Sequence, residues 1–474
     1  MSSSLGYNDL MDYQKDGVDR ILRQPKLFLG DDPGLGKTAQ VICAAKAMPP
    51  TLRKKGILII CPASLRTNWA KEWTMWGGPT DCPLHFMSYQ QATRDSQNKP
   101  PPKGKQRVGV LNRKWGLVAF DECHALKGGA KSLRGKNLIY CIYREDVLDD
   151  MGIPTGKFTW VKNLGIQGDY IVMMSGTPIL NKPSDIFPMI RHLDMDSWPA
   201  KTAFEQRYCD AHMDNFGRYK AVGAKNLPEL RSKLVDGTGG KPGVMLRRLK
   251  KKVLHQLPPK RRQVIELESN TTSSVANKQL MKAMDIDTLE SDSDLKWAVR
   301  AMEQMAKMKL PDVHEIRKRL GLSKIKPVMA YIKEMEELGV LPNKLVLFAH
   351  HREVVEELTD QLNKLGIKAS KYYGGMNDAL KNEVVEDFQN GDLRVFVGSI
   401  VAAGVGLTLT QADTCMIVEA SYVPAENVQA EDRIHRIGAV NPVLIQYLVH
   451  AGSLDSRILS AVVDKMDMIS QITD

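Results

Sequence analysis

The stretch Gly30-Asp31-Asp32-Pro33-Gly34-Leu35-Gly36-Lys37-Thr38 follows the apolar run Leu27–Leu29 and precedes a helical pattern that starts at Ala39. Strand, glycine-rich turn and helix in that order gather backbone N–H groups and a helix N-terminus at one point, where they can curl around phosphate oxygens. Lys37 neutralises the β and γ phosphates of a nucleotide, and the Thr38 hydroxyl can ligate Mg²⁺. Asp31 stands where the pattern G-x-x-x-x-G-K-[ST] has its first glycine, so the match rests on Gly34, Gly36, Lys37 and Thr38. A glycine-rich turn that only caps a helix is the plain alternative.

Further apolar runs with turn chemistry after them occur at Gly56–Cys61, Leu117–Phe120, Tyr170–Ser175, Lys344–Ala349, Leu393–Gly398 and Thr414–Val418. Such runs alternating with helical patterns predict parallel sheets covered on both faces. They fall before about residue 190 and after about residue 340, which gives an α/β chain of two lobes. The expected domains are residues 1–240, a basic linker with a helical insertion over 241–340, and residues 341–474. Within the middle segment, Ser269–Gly339 carries Lys, Glu, Met and Leu at helical spacing. Thr93–Gly109 and Glu145–Gly168 read as surface loops.

The 474 residues hold 66 Lys and Arg against 55 Asp and Glu, a net charge of +11, with 43% hydrophobic and 26% charged residues. Those proportions exclude a disordered or fibrous chain, and the positive surplus favours an anionic partner. No apolar run is long enough to cross a membrane, and Met1–Asp9 lacks the pattern of a secretory signal. A cytoplasmic location, in a bacterial or virus-infected cell, or a nuclear one is expected, with the protein a monomer. The seven cysteines show no metal-binding spacing, so reduced thiols and no structural metal are expected.

Two more segments carry chemistry. Asp121-Glu122-Cys123-His124 follows the strand ending at Phe120, where Asp121 is suited to the Mg²⁺ shell and Glu122 to orienting or deprotonating an attacking water. In isolation this pair is an ordinary helix start. Gln429-Ala-Glu-Asp-Arg-Ile-His-Arg-Ile-Gly438 places Arg433 and Arg436 three apart, on one face of a predicted helix, available to a γ-phosphate. Two surface arginines paired with Glu426 or Glu431 are the bland reading. The strip Lys241–Arg262 holds nine Lys and Arg and no acid, a density suited to tracking a phosphate backbone or to a solvated helix face.

In this order, Gly30–Thr38, Asp121–His124, Met174-Ser-Gly-Thr-Pro178 and Gln429–Gly438 resemble the motifs of superfamily-two helicases, and in detail those of Swi/Snf-type DNA translocases. Tyr13-Gln14, Cys61–Trp69, Met245–Lys250 with Leu257–Lys260, and Ala402–Leu407 extend the resemblance from about residue 10 to residue 465. The ending, Ile445–Val449 to Asp455–Arg457, is most similar to the compact annealing-helicase branch.

The resemblance implies two RecA-like lobes that hydrolyse ATP with Mg²⁺ in the cleft between them and move along double-stranded DNA, branched or forked DNA being the specialised substrate. It implies that Gln14 reads the adenine edge and that Asp32, Gly34, Leu35, Gly36, Lys37, Thr38 and Gly406 contribute to the nucleotide site. Asp121 and Glu122 serve metal and water, while Gln429, Arg433 and Arg436 act from lobe two. Ser64, Ser88, Ser175, Thr177, Ser399 and Gly404 belong to motifs that couple nucleotide to DNA, with Arg247, Arg248 and Lys250 of the basic strip added as DNA contacts. The basic strip reads as mixed in use, some arginines bracing the lobes and some lysines near DNA.

Ile400, Ala403 and Thr408 depart from the family's usual Thr, Gly and Asn, and the lost hydroxyl at position 400 removes one expected backbone contact. Two rivals stand beside the translocase: a strand-separating helicase whose wedge hairpin would lie within Glu145–Gly168, and a binding module with a vestigial ATPase. Three features have plainer readings. His350-His351 reads as a strand end, Met302–Met308 as core packing, and Trp69, Trp73 and Trp76 as one amphipathic helix face.

Overall fold

The computed structural model describes residues 4–97, 108–148, 154–179, 182–198, 200–213, 218–221, 223–254, 258–268, 310–403, 407–421, 424–451 and 456. The chain divides into two compact units, Met1–Val253 and Leu254–Met468. Described residues of the basic strip therefore fall in both.

Unit one is built on a six-stranded, all-parallel sheet. Its strands are β1 (Lys26–Leu29), β2 (Ile57–Cys61), β3 (Leu84–Ser88), β4 (Lys114–Asp121), β7 (Gln167–Met174) and β10 (Met245–Leu246), in the order β10-β1-β7-β4-β2-β3. Ile57–Cys61 and Leu117–Phe120 are fully buried, as continuous apolar runs in a sheet covered on both faces should be. Leu29 pairs with Met174, and Met174 with Asp121, so three neighbouring strands end level with one another. The loops that follow them share one edge, where open parallel sheets bind ligands.

Between β4 and β7 the chain leaves the sheet. Cys141–Leu148 (β5) and Pro154–Asn163 (β6) form a two-stranded antiparallel ribbon, correcting the expectation of a loop over Glu145–Gly168. Its proline, glycines and mixed charges mimic loop composition, and the pairing of the two strands, which no local pattern shows, makes them a ribbon. Of the other expected loop, Thr93–Gly109, Thr93–Ser96 completes the helix Tyr89–Ser96 and 98–107 lies outside the described residues. A second short pairing joins β8 (His212–Met213) to β9 (Tyr219–Lys220).

Unit two has its own six-stranded parallel sheet: β11 (Lys260–Leu267), β12 (Leu345–Ala349), β13 (Ala369–Tyr372), β14 (Val395–Ser399), β15 (Thr414–Ile417) and β16 (Val443–His450), in the order β11-β16-β15-β12-β14-β13. All seven predicted strands are present across the two sheets, and the fold is α/β with two RecA-like lobes. Of the expected helical segment, Leu310–Glu337 is a helix, whereas 269–309, including Met302–Met308, lies outside the described residues. Ile325, Val328 and Ile332 of that helix join the core under β12 and β16. Lys324, 2% exposed, donates to the carbonyls of Val418 and Leu448 at 2.9 Å each. A fully buried ammonium is tolerated there because it donates to two backbone carbonyls.

Candidate nucleotide and DNA site

The phosphate loop is held from three sides. Gly34 and Gly36 adopt φ of +84° and +73°, a region that costs glycine nothing and other residues much. A Cβ on Gly36 would lie 2.3 Å from Gln14 Nε2. Gln14 itself donates to the Leu35 carbonyl at 3.2 Å and accepts from Met11 N at 3.0 Å, so the predicted adenine reader is anchored against the loop. Lys37 and Thr38 open the helix Lys37–Ala47, whose N-terminus completes the cradle. Lys37 Nζ donates to the carbonyls of Asp31 (2.7 Å) and Asp32 (3.2 Å). Burial pulls its ammonium below the ordinary lysine value, opposed by Glu122, Asp31 and Asp121.

The third side comes from β10 and the residues after it. Arg247 pairs with Asp32 at 2.7 Å and donates to the Gly30 carbonyl at 2.5 Å and the Gly176 carbonyl at 3.2 Å. Arg248 grips Asp31, which is fully buried, and donates to Gln40 Oε1 at 2.7 Å. Lys250 N donates to Asp32 Oδ2 at 2.9 Å. The acid that replaces the first glycine of the loop is thus the acceptor of a buried ion pair. These arginines, expected at DNA, have their guanidinium groups on the phosphate loop, and the strip does not form one helix face: it contains β10, the short helix Lys250–Val253 and the start of β11.

Asp121 ends β4 facing the loop. Its Oδ2 accepts from Trp69 Nε1 at 2.8 Å, its Oδ1 from Glu122 N at 3.0 Å, and its carbonyl from the Tyr89 hydroxyl at 2.9 Å. Burial, and then the neighbouring Glu122 carboxylate, push the Asp121 carboxyl up to about 7. Glu122 takes a left-handed backbone, φ +50°, an uncommon state for a residue with a side chain and one that clusters at functional sites. His124 Nδ1 lies 3.3 Å from the Glu122 carboxylate and 3.2 Å from Ser175 Oγ, and Ser175 Oγ accepts from Thr177 N at 3.1 Å. Ser175 is fully buried, so its hydroxyl serves this chain of contacts rather than an outer surface. Trp69 and Tyr89 were missed as site residues. The sign was available, since a buried indole N–H or phenol needs an acceptor.

Ser88 caps the helix Tyr89–Ser96, its Oγ accepting from Gln91 N at 3.2 Å, and Ser64 lies in the turn Ala63–Leu65. In unit two, Ser399 ends β14, while Gly404 and Gly406 lie outside the described residues. Ile400 is fully buried in the core with Phe348 and Phe396. Position 400 here is a packing position.

The arginine motif differs from expectation in one respect. The helix Pro424–Glu431 stops at Glu431, so Arg433 and Arg436 occupy the turn that follows it and share no helix face. Glu431, the last residue of that helix, is fully buried and accepts from Lys260 at 2.9 Å, Arg262 at 2.5 Å and the Tyr447 hydroxyl at 2.9 Å. Burial alone would push its carboxyl up, but Lys260 and Arg262 outweigh that and hold it below the usual value. The Leu409 N–H to Arg433 carbonyl bond, 2.9 Å, fixes the turn. Arg433 donates from Nε to the Gln429 carbonyl at 2.9 Å, and Arg436 donates to the Leu407 carbonyl at 2.9 Å and to Thr408 Oγ1 at 3.0 Å. Thr408, one of the departures from the family pattern, gives Arg436 a hydroxyl partner.

The SNF2-related domain model matches residues 13–112 and 158–313, more than half the chain, and the helicase conserved C-terminal domain model matches 328–438. The chain belongs to the SNF2-related family. Among its relatives, the SWI/SNF-related matrix-associated actin-dependent regulator of chromatin subfamily A-like protein 1 of Xenopus tropicalis is 29% identical over 99% of this chain. The human DNA annealing helicase and endonuclease ZRANB3 is 30% identical over 94% of it. The chain spans 45% of the first relative and 39% of the second. A solved Sulfolobus solfataricus SWI2/SNF2 ATPase core in complex with dsDNA aligns over 100% of this chain and 94% of its own, at 19% identity and a TM-score of 0.42. In this family member, then, the phosphate loop, the Asp121-Glu122 pair and the Ser175–Thr177 link converge on one edge of one sheet.

Proposed function

We propose that this protein is an ATP-driven double-stranded DNA translocase that remodels or anneals branched DNA. The observation that carries the reading is the level ending of β1, β7 and β4. It brings phosphate cradle, acid pair and the Ser175–Thr177 link to one edge in a chain of SNF2-related type.

The residues fit ATP and Mg²⁺. Backbone N–H groups of Gly34–Lys37 and the Lys37 ammonium would hold the phosphates, and the Thr38 hydroxyl and the Asp121 carboxylate would hold the metal. Two oxygen ligands from the chain suit Mg²⁺, an ion that keeps waters and phosphate oxygens as most of its ligands. When bound, Mg²⁺ neutralises charge on the β and γ oxygens. Glu122 accepts a proton from the water that attacks the γ-phosphorus as the bond to the bridging oxygen breaks, giving ADP and inorganic phosphate. In this reading Gln429, Arg433 and Arg436 would answer the charge on the transferring group. The link from Glu122 through His124 to Ser175 and Thr177 carries the change in nucleotide state to the DNA side of unit one. Contacts to DNA are mainly to phosphates, hence independent of sequence and weakened by salt.

The test is steady-state hydrolysis by wild type and Glu122→Gln with no nucleic acid, single strands, duplex, forked DNA and RNA, at two salt concentrations. Strong duplex or fork stimulation, lost in Glu122→Gln and reduced by salt, is expected, followed by displacement of a triplex strand. Stimulation by single strands or RNA alone would replace this reading with a strand-separating helicase, and no hydrolysis at all would leave a binding module.

A further inference from the structure

The ribbon β5–β6 has two unlike faces. Register pairs Ile142 with Lys162, Arg144 with Trp160 and Asp146 with Phe158, so Ile142, Arg144, Asp146, Phe158, Trp160 and Lys162 occupy positions on one face, while Tyr143, Glu145, Thr159 and Val161 share the other. The first face is open to solvent: Trp160 is 68% exposed, Phe158 47% and Ile142 45%. The Phe158 and Trp160 rings meet edge to face at 6.0 Å, and the Arg144 guanidinium lies 4.7 Å from the Phe158 ring centre. An exposed Trp and Phe side by side on a two-stranded ribbon is an uncommon surface.

At the root of the ribbon lies a cavity of about 300 Å³. Lys131, Tyr140, Ile142, Phe187, Arg191 and Lys201 are among its lining residues, Ile142 belonging to both features. Arg191 sits 5.4 Å from the Tyr140 ring centre and 5.7 Å from that of Phe187. Aromatic surface and cations are therefore interleaved along the ribbon and around the cavity, in a volume at the small end of ligand pockets.

The ribbon is anchored. Asn163 Nδ2 donates to the Lys136 carbonyl at 2.6 Å, Ile166 N to the Leu138 carbonyl at 3.0 Å, and Tyr140 N to His192 Nδ1 at 2.9 Å. Without such support a lone two-stranded ribbon is marginal in water. The helix Leu133–Leu138 that precedes it packs on Tyr89–Ser96, the helix capped by Ser88, and β6 leads into β7, which ends at Met174, next to Ser175.

We propose that the exposed ribbon face and the cavity at its root hold the unpaired bases of a DNA strand at a branch point. Bases present apolar π-faces that stack on Trp and Phe without regard to sequence, and the chain of phosphates that carries them meets Arg144, Lys162 and the cations around the cavity. An intact duplex offers the phosphates and keeps its base faces stacked inside, so this surface distinguishes a fork from plain duplex. A docked protein would need apolar surface of its own and gains little from cations spaced among the rings. The proposal rests on the DNA-translocase reading and gives it a substrate-selecting surface.

The experiment uses the full chain with fluorescent duplex, forked and single-stranded DNA of equal length, and a 2-aminopurine at the first unpaired position of the fork. Trp160→Ala is expected to weaken fork and single-strand binding roughly tenfold and to abolish the 2-aminopurine response. Trp160→Phe should restore most of the affinity, and Thr159→Ala, on the opposite face, should change nothing. Duplex affinity and duplex-stimulated hydrolysis should stay at wild-type values, which also reports that the variants are folded. Unchanged fork binding in Trp160→Ala, or an equal loss on duplex, overturns the proposal. Wild type without duplex-stimulated hydrolysis would remove the translocase reading, while a fork-specific loss in Trp160→Ala would still uphold the surface.

Discussion

The Asp31 carboxylate and the Arg248 guanidinium form a two-point ion pair, Oδ1 to Nε at 3.0 Å and Oδ2 to Nη2 at 2.5 Å, across 217 residues of sequence. Both groups are withdrawn from water, Asp31 completely. Leaving one of them alone costs far more than the intact pair contributes, because the partner remains as an uncompensated buried charge.

Arg248→Ala should therefore lower stability by about 3–5 kcal/mol, read as a drop in the urea midpoint. Arg248→Lys should recover only part, since one ammonium cannot reproduce a planar two-point contact. The Asp31→Ala/Arg248→Ala double variant should lose less than Arg248→Ala alone. Equal losses would show that the pair is not what matters.

Trp69→Phe removes one donor from Asp121 Oδ2 and leaves the ring in place. A cost of about 1 kcal/mol in stability is expected, together with a higher Mg²⁺ requirement for hydrolysis, because the carboxylate is no longer oriented. A magnesium titration of ATPase rate checks it, and an unshifted curve would reduce Trp69 to packing.

His192 sets a pH dependence. It is buried, its Nδ1 accepts from Tyr140 N, and burial lowers its pKa to about 3. Unfolded, it would protonate near pH 6.5. Below that point the unfolded state binds a proton that the folded state refuses, so stability falls as pH drops from about 6.5 towards 3, by about 1 kcal/mol per pH unit from this residue. His350, lowered to about 4 mainly by burial, acts in the same direction. Denaturation midpoints between pH 7 and 5 should decline more steeply in wild type than in His192→Asn.

Glu431→Gln leaves Lys260 and Arg262 without their shared carboxylate. A loss of about 3 kcal/mol is expected, with a fall in DNA-stimulated hydrolysis because the turn bearing Arg433 and Arg436 starts at this residue. Hydrogen exchange over Asp432–Gly438 gives the local readout: protection there should drop, and unchanged protection would separate Glu431 from the arginine turn.

Features whose chemistry is contiguous were legible in the sequence. The phosphate loop is nine contiguous residues joining β1 to the helix Lys37–Ala47, and β2 and Leu117–Phe120 of β4 are unbroken apolar runs. The strand Lys260–Leu267 was not, because its exposed Arg261, Arg262, Gln263 and Val264 show no apolar period, and its pairing with β16 is settled by tertiary contacts. The ribbon is hidden by loop-like composition, and nothing local shows that the helix before Arg433 and Arg436 ends at Glu431. Arg247 and Arg248 looked like a surface strip for the same reason: their acceptors, Asp31 and Asp32, lie more than two hundred positions upstream.

That separation bears on dissecting the protein. Every recognised nucleotide motif of unit one is complete by Pro178, so a fragment ending soon after it would carry the full signature of an ATP site. It would lack β10, the edge strand beside β1, and both arginines that brace Asp31 and Asp32. Such a fragment would keep the motifs and lose the scaffold that shapes them, so a piece of unit one meant to keep the loop's shape should run through Lys250.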